Sequence, residues 1–139
     1  METLKIINAA DNADILDYFK SKGFNIKKEW RKLKINPKDQ DLIMESILIE
    51  LKSLIESNGI RSHIQSGEIS SVCIVKLRVK NPMQNNSKSS GFRTYSLFIA
   101  DESTAILFDI YPKNGTNRKD NISDTEKNKM QEIVNDFKC

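Results

Sequence analysis

A chain of 139 residues, 38% hydrophobic and 29% charged, is long enough to bury a core without metals or disulfides and too polar for a membrane protein. No apolar run approaches the roughly 20 residues that a membrane span needs, so the expectation is one soluble domain over 1–139. The net charge of +3 is modest but unevenly placed: residues 73–119 carry eight Lys and Arg against three Asp and Glu, while 1–72 are balanced and 120–139 are acidic. A basic block of this kind suits an anion or a nucleic-acid backbone, and a solvated strand-and-loop face has the same composition.

The first residues, Met1 to Ile7, lack a basic segment followed by a long apolar stretch, which gives the expectation of no secretory signal and a cytoplasmic location. Cys73 lies in an apolar strand pattern and Cys139 is the last residue, which is neither a disulfide framework nor metal-ligand spacing. Both are expected as reduced thiols, with no metal and no cofactor.

Leu4, Ile6 and Ile7 predict a short first strand. From Asp11 the pattern is helical, with Ile15, Leu16, Tyr18 and Phe19 as an apolar stripe, and Gly23 breaks or bends the helix. Ile26, Trp30 and Leu33 continue at helical spacing. Asn36-Pro37 then supplies an N-cap and a proline at the first helical position, opening a second helix. That helix carries Ile43, Ile47, Leu51, Leu54 and Ile55 on one side and closes at Asn58-Gly59. Two helices packed as a helical hairpin are expected.

From Val72 the period changes to two. Cys73, Val75, Leu77 and Val79 alternate with Ile74, Lys76, Arg78 and Lys80, predicting a strand with one apolar and one largely basic face. Phe92 to Ile99 and Ala105 to Tyr111, joined across residues 100–104, complete a three-stranded antiparallel meander. Ser123-Asp124-Thr125-Glu126 is a capping box, followed at helical spacing by Met130, Ile133, Val134 and Phe137. The expected fold is α+β: an N-terminal strand, two helices, the meander and a C-terminal helix, with helices on one face of an antiparallel sheet and function on the other. The polar loops 81–91 and 112–121 bracket that site.

Cleaving RNA without a metal needs a base for the 2′-hydroxyl proton, cations for the charge developing on phosphorus, and a donor to the leaving 5′-oxygen. The one histidine, His63, falls in a connecting segment and is expected at the surface rather than in catalysis. Lysines held among other cations lose affinity for their proton and can act as base or acid. Lys76, Arg78 and Lys80 on one strand face, Arg93 on the next strand and Lys113 after the third form such a set. A charged sheet face that discourages edge aggregation is the alternative.

Several short motifs add to this. Lys88-Ser89-Ser90-Gly91-Phe92-Arg93 resembles the Lys-x-Gly-Gly-aromatic-Arg turn of RelE/HigB-type toxins. Ile110-Tyr111-Pro112-Lys113-Asn114 resembles their Ile-Tyr-x-Lys-Asn strand end, and Asn121-Ile122-Ser123-Asp124 their Asn-Leu-Ser-Asp helix start. Lys28-Glu29-Trp30-Arg31-Lys32-Leu33 is similar to a first-helix segment and Val75-Lys76-Leu77-Arg78 to the basic strand, with Ile74 where some members carry a lysine. The resemblance covers roughly 25–139 in order; residues 1–24 are a lead-in that it does not place.

The resemblance implies the toxin of a bacterial type II toxin–antitoxin module, a ribosome-dependent endoribonuclease (mRNA interferase) that stops translation by 2′-hydroxyl attack on the adjacent phosphate. Its partners would be mRNA on the ribosome and a cognate antitoxin, with no membrane; it leaves the oligomeric state open. Arg93 would stabilise the transition-state phosphate, Lys76 would be base or charge stabiliser, and Lys113 would contact phosphate or assist the leaving group. Tyr111 would stack or donate a proton, or else serve packing. Arg78, Lys80, Lys88, Arg118 and Lys119 would bind RNA. On the same fold, a non-catalytic ParE-like binder of DNA gyrase and an inactive nucleic-acid-binding protein are the alternatives.

Overall fold

The computed structural model describes residues 3–83, 91–113, 119 and 121–138. Strand β1 (Lys5–Asn8) leads through a single turn of 3-10 helix into α1 (Ala13–Ser21), α2 (Ile26–Lys32) and α3 (Pro37–Ser57). Strands β2 (Ile64–Gly67), β3 (Val72–Val79), β4 (Phe92–Ile99) and β5 (Thr104–Pro112) follow, and α4 (Asp124–Phe137) closes the chain. The class is α+β, as expected, but three helices, not the expected two-helix hairpin, precede the meander, along with a short strand, β2, that the periodicity did not signal.

Local chemistry accounts for the extra helix. Gly23, at φ +92°, ends α1: the Phe24 N–H donates to the Phe19 carbonyl and the Gly23 N–H to that of Lys20, closing a left-handed cap. Asn25 then restarts the chain, its side chain accepting from the Lys28 N–H at 3.1 Å. The same cap ends α2 with Lys34 at φ +56°, where the Ile35 N–H reaches the Trp30 carbonyl. Asn36 caps α3 through the Asp39 N–H at 2.8 Å with Pro37 in the first turn, and Asn58 at φ +62° closes it. The Ser123–Glu126 capping box starts α4 with both reciprocal bonds present.

The five strands lie in the order β1-β5-β4-β3-β2. β1 runs parallel to β5 and the other pairs are antiparallel, so the sheet is mixed rather than purely antiparallel. Helices also cover both faces, not one. Val72, Cys73, Ile74 and Val75 are all buried although neighbours along a strand point to opposite sides, and every residue of β4 is buried. α3 packs on β1 and β3, and α4 packs on β2 and β3. Ile74, on the face expected to be basic, is fully buried: that face is apolar under α4 and basic only from Lys76 onward.

Packing ties the C-terminal half of α4 to α1. The Tyr18 hydroxyl donates to Asp136 at 2.6 Å, Lys22 reaches Glu132 and Asp136 at 3.3 and 3.1 Å, and the Tyr18 ring meets Phe137 edge-on. Beneath them Phe19 stacks on Phe108 with centroids 4.7 Å apart, and Phe24 meets the same ring edge-on. No helix among the described residues is long and apolar enough to cross a membrane.

Candidate nucleic-acid interface

Two rows of side chains cross the middle of the sheet. Lys76 stands opposite Tyr95, which stands opposite Asp109; Arg78 stands opposite Arg93, which stands opposite Tyr111. A bulge makes this arrangement. Ser96 pairs with Leu107 but Tyr95 pairs with Asp109, so Phe108 is an extra residue. A one-residue insertion exchanges the two faces of a strand beyond it. Phe108 goes into the aromatic core, and Asp109 and Tyr111 come to share a face with Lys76, Arg78 and Arg93.

The electrostatics of this face are those of a built cationic site. Burial, and then Arg93, Lys113, Arg78 and Lys127, hold the Lys76 amine below its ordinary value; every charge that shifts it is a cation. Its ammonium lies 5.9 Å from the Tyr95 ring centroid. Arg93 is buried, 4% exposed, and its pKa is lowered by burial first and by Arg78 next. An arginine remains charged under such a shift. Two like charges directly opposite across a strand pair oppose folding.

The expected residues are thus only partly gathered. Lys76, Arg78, Arg93 and Lys113 form one cluster, with the Lys113 N–H bonded to the Gly91 carbonyl at 3.2 Å. Lys80 is exposed just past β3 and is not among the groups acting on Lys76. Lys119 places its ammonium 2.6 Å from both Glu126 oxygens and 5.3 Å from the Tyr111 centroid, so it ties β5 to the first turn of α4. Tyr111 is buried beside Tyr95, and neither phenol has a hydrogen-bond partner among the described residues. Burial pushes the Tyr95 phenol up. The expected RNA-binding residues Lys88 and Arg118 lie outside the described residues, as do the motif residues Ser89, Ser90 and Asn114.

Three contributors were not anticipated. Lys127 enters from the first turn of α4, one residue beyond the capping-box Glu126, and only the path of that helix over the sheet brings it to Lys76. Asp109 is buried and its carboxyl is pushed up to about 7, chiefly by burial, with Glu126 and Glu29 adding and Lys119 opposing. His63, expected at the surface, is half-buried with its Nδ1 3.3 Å from the Lys76 carbonyl. It lines an open-sided cavity of about 320 Å³ with Ser62, Ile64, Gln65, Lys76 and Arg78. Among the described residues no group of His, Cys, Asp and Glu is arranged to hold a metal ion. No protein-family model, curated protein or solved structure matches this chain.

Proposed function

We propose that this chain is a RelE/HigB-type toxin of a type II toxin–antitoxin module, acting in the cytoplasm as a ribosome-dependent endoribonuclease on mRNA. The observation that carries the reading is a cluster drawn from β3, β4, the end of β5 and α4: a partly buried Lys76, opposite Tyr95 on β4, among Arg78, Arg93, Lys113 and Lys127. Cations so placed act on the charge that develops on a phosphate in the transition state, where a low-dielectric surround strengthens them. Lys76, with its proton affinity lowered, takes the 2′-hydroxyl proton or holds the phosphate. The 2′-oxygen attacks phosphorus, the bond to the 5′-oxygen breaks, and a 2′,3′-cyclic phosphate results. Arg93 stabilises the equatorial oxygens, Lys113 assists the departing 5′-oxygen, and Arg78 steadies the strand. The cognate antitoxin would cover this basic face.

Induced expression should arrest growth and translation, with mRNA cut on programmed ribosomes. Lys76→Ala, at a half-buried surface position, should lower cleavage by about a hundredfold or more, the usual scale for a proton-transfer group or a charge stabiliser. Arg93→Ala should do the same, with circular dichroism confirming that it folds. Toxicity and cleavage unchanged in both variants overturns the assignment. Growth arrest with a DNA-damage response and intact mRNA indicates a gyrase-directed binder instead.

A further inference from the structure

Beside the cationic cluster the fold builds a second feature. β2 pairs with β3 only over Cys73, Ile74 and Val75, so the outer edge of β3 is uncovered by strand from Lys76 onward. His63, the residue before β2, fills the first open position by facing the Lys76 carbonyl at 3.3 Å. A carbonyl only accepts, so the ring donates from Nδ1 and its Nε2 edge is left for another group. Main-chain groups two residues apart on a strand face the same edge, so the N–H of Arg78 is directed to the same open side as the Lys76 carbonyl. The Leu77 carbonyl, accepting from the Thr94 hydroxyl at 3.2 Å, points the other way, as that alternation requires.

Gln65 completes the pocket. Ile64 pairs with Val75 and Ser66 with Ile74, so Gln65 is a bulge residue with no partner on β3. Bulges re-aim side chains at functional edges, and this one brings Gln65 to the cavity. Its amide has no hydrogen-bond partner among the described residues, and it offers both a donor and an acceptor. The Ser62 hydroxyl is already committed to the Gly59 carbonyl at 3.2 Å. The cavity therefore has a cationic wall of Lys76 and Arg78, a flat imidazole anchored through Nδ1, an amide with open valences and the apolar Ile64. At about 320 Å³ it falls at the small end of ligand sites.

We propose that this cavity is a nucleotide subsite: a phosphate sits on Lys76 and Arg78 while its nucleobase packs against His63 and hydrogen-bonds Gln65. The inference rests on the nuclease reading and adds the base-binding element that a phosphate cluster alone lacks. Planar imidazole and guanidinium groups stack on any base, and an amide discriminates among base edges. His63 and Gln65 therefore set which nucleotide is held next to the scissile phosphate.

His63 is the chain's sole histidine, so its ring resonances report on the pocket without ambiguity. The full chain is titrated with the four nucleoside 3′-monophosphates, with inorganic phosphate and with the corresponding nucleosides. At least one nucleotide should shift the His63 ring signals and bind about tenfold more tightly than inorganic phosphate, the scale of one stacked base. Gln65→Ala and His63→Ala should erase that excess and leave phosphate binding intact, while Lys76→Ala should weaken both. Nucleotides binding no better than phosphate, or an excess that survives both pocket variants, overturns the subsite and leaves the phosphate cluster standing. Absence of both phosphate and nucleotide binding overturns the subsite and the cluster reading together.

Discussion

Asp109 should make the protein less stable as the pH rises from about 4 to about 7. Its carboxyl moves from an ordinary value of 3.8 to about 7, first because burial disfavours the charge, then because Glu126 and Glu29 are near, with Lys119 opposing. The folded chain thus holds this proton more tightly than the unfolded one, and deprotonation in that window favours unfolding. About three pH units at ~1.4 kcal/mol each gives at most about 4 kcal/mol of stability present below pH 4 and absent above pH 7. Glu126, Glu132 and Asp136 are shifted the other way, so the stability they add is complete above the ordinary carboxylate range and does not change between pH 6 and 8. Asp109→Asn keeps the shape and removes the charge. Urea denaturation at pH 5, 6, 7 and 8 should show the wild type losing stability and the variant nearly flat, with the variant the more stable at pH 8. Wild-type stability that is level or rising over this range, with the variant running parallel, refutes the reasoning.

Three further changes test the framework of the site. A Cβ at Gly91 would lie 2.2 Å from the Val79 carbonyl oxygen, so Gly91→Ala must push β3 and β4 apart; thermal unfolding should show a loss of about 2 kcal/mol or more. Lys34 holds a left-handed conformation at the end of α2, and Lys34→Gly should raise the denaturation midpoint by up to about 1 kcal/mol of stability. Cys73 is fully buried and its thiol is pushed up to about 12, so mass spectrometry should find its peptide unmodified by iodoacetamide at pH 8 until urea is added.

Much of the framework is legible along the chain because it depends on neighbours in sequence. Asn36-Pro37, Asn58-Gly59 and the Ser123–Glu126 box mark helix ends through bonds that span three or four residues, and each functions as such in the fold. The alternation from Val72 marks β3 for the same reason, and the basic block of residues 73–119 supplies most of the cationic face. The division of the first helical region was half visible: Gly23 signalled a break, but Asn25 as a fresh cap makes it two helices.

What the sequence could not decide on its own is which of these cations meet, and on what surface. Alternation assigns Ile74 to the basic face, yet α4 lies over it, because burial depends on an element fifty residues away. The bulges at Phe108 and Gln65 leave no mark in a hydrophobic pattern, since one extra residue preserves composition while exchanging the faces that follow. The tertiary structure alone therefore places Asp109 and Tyr111 beside the arginines, draws Lys127 in from α4, and turns His63 from an expected surface residue into the wall of a cavity.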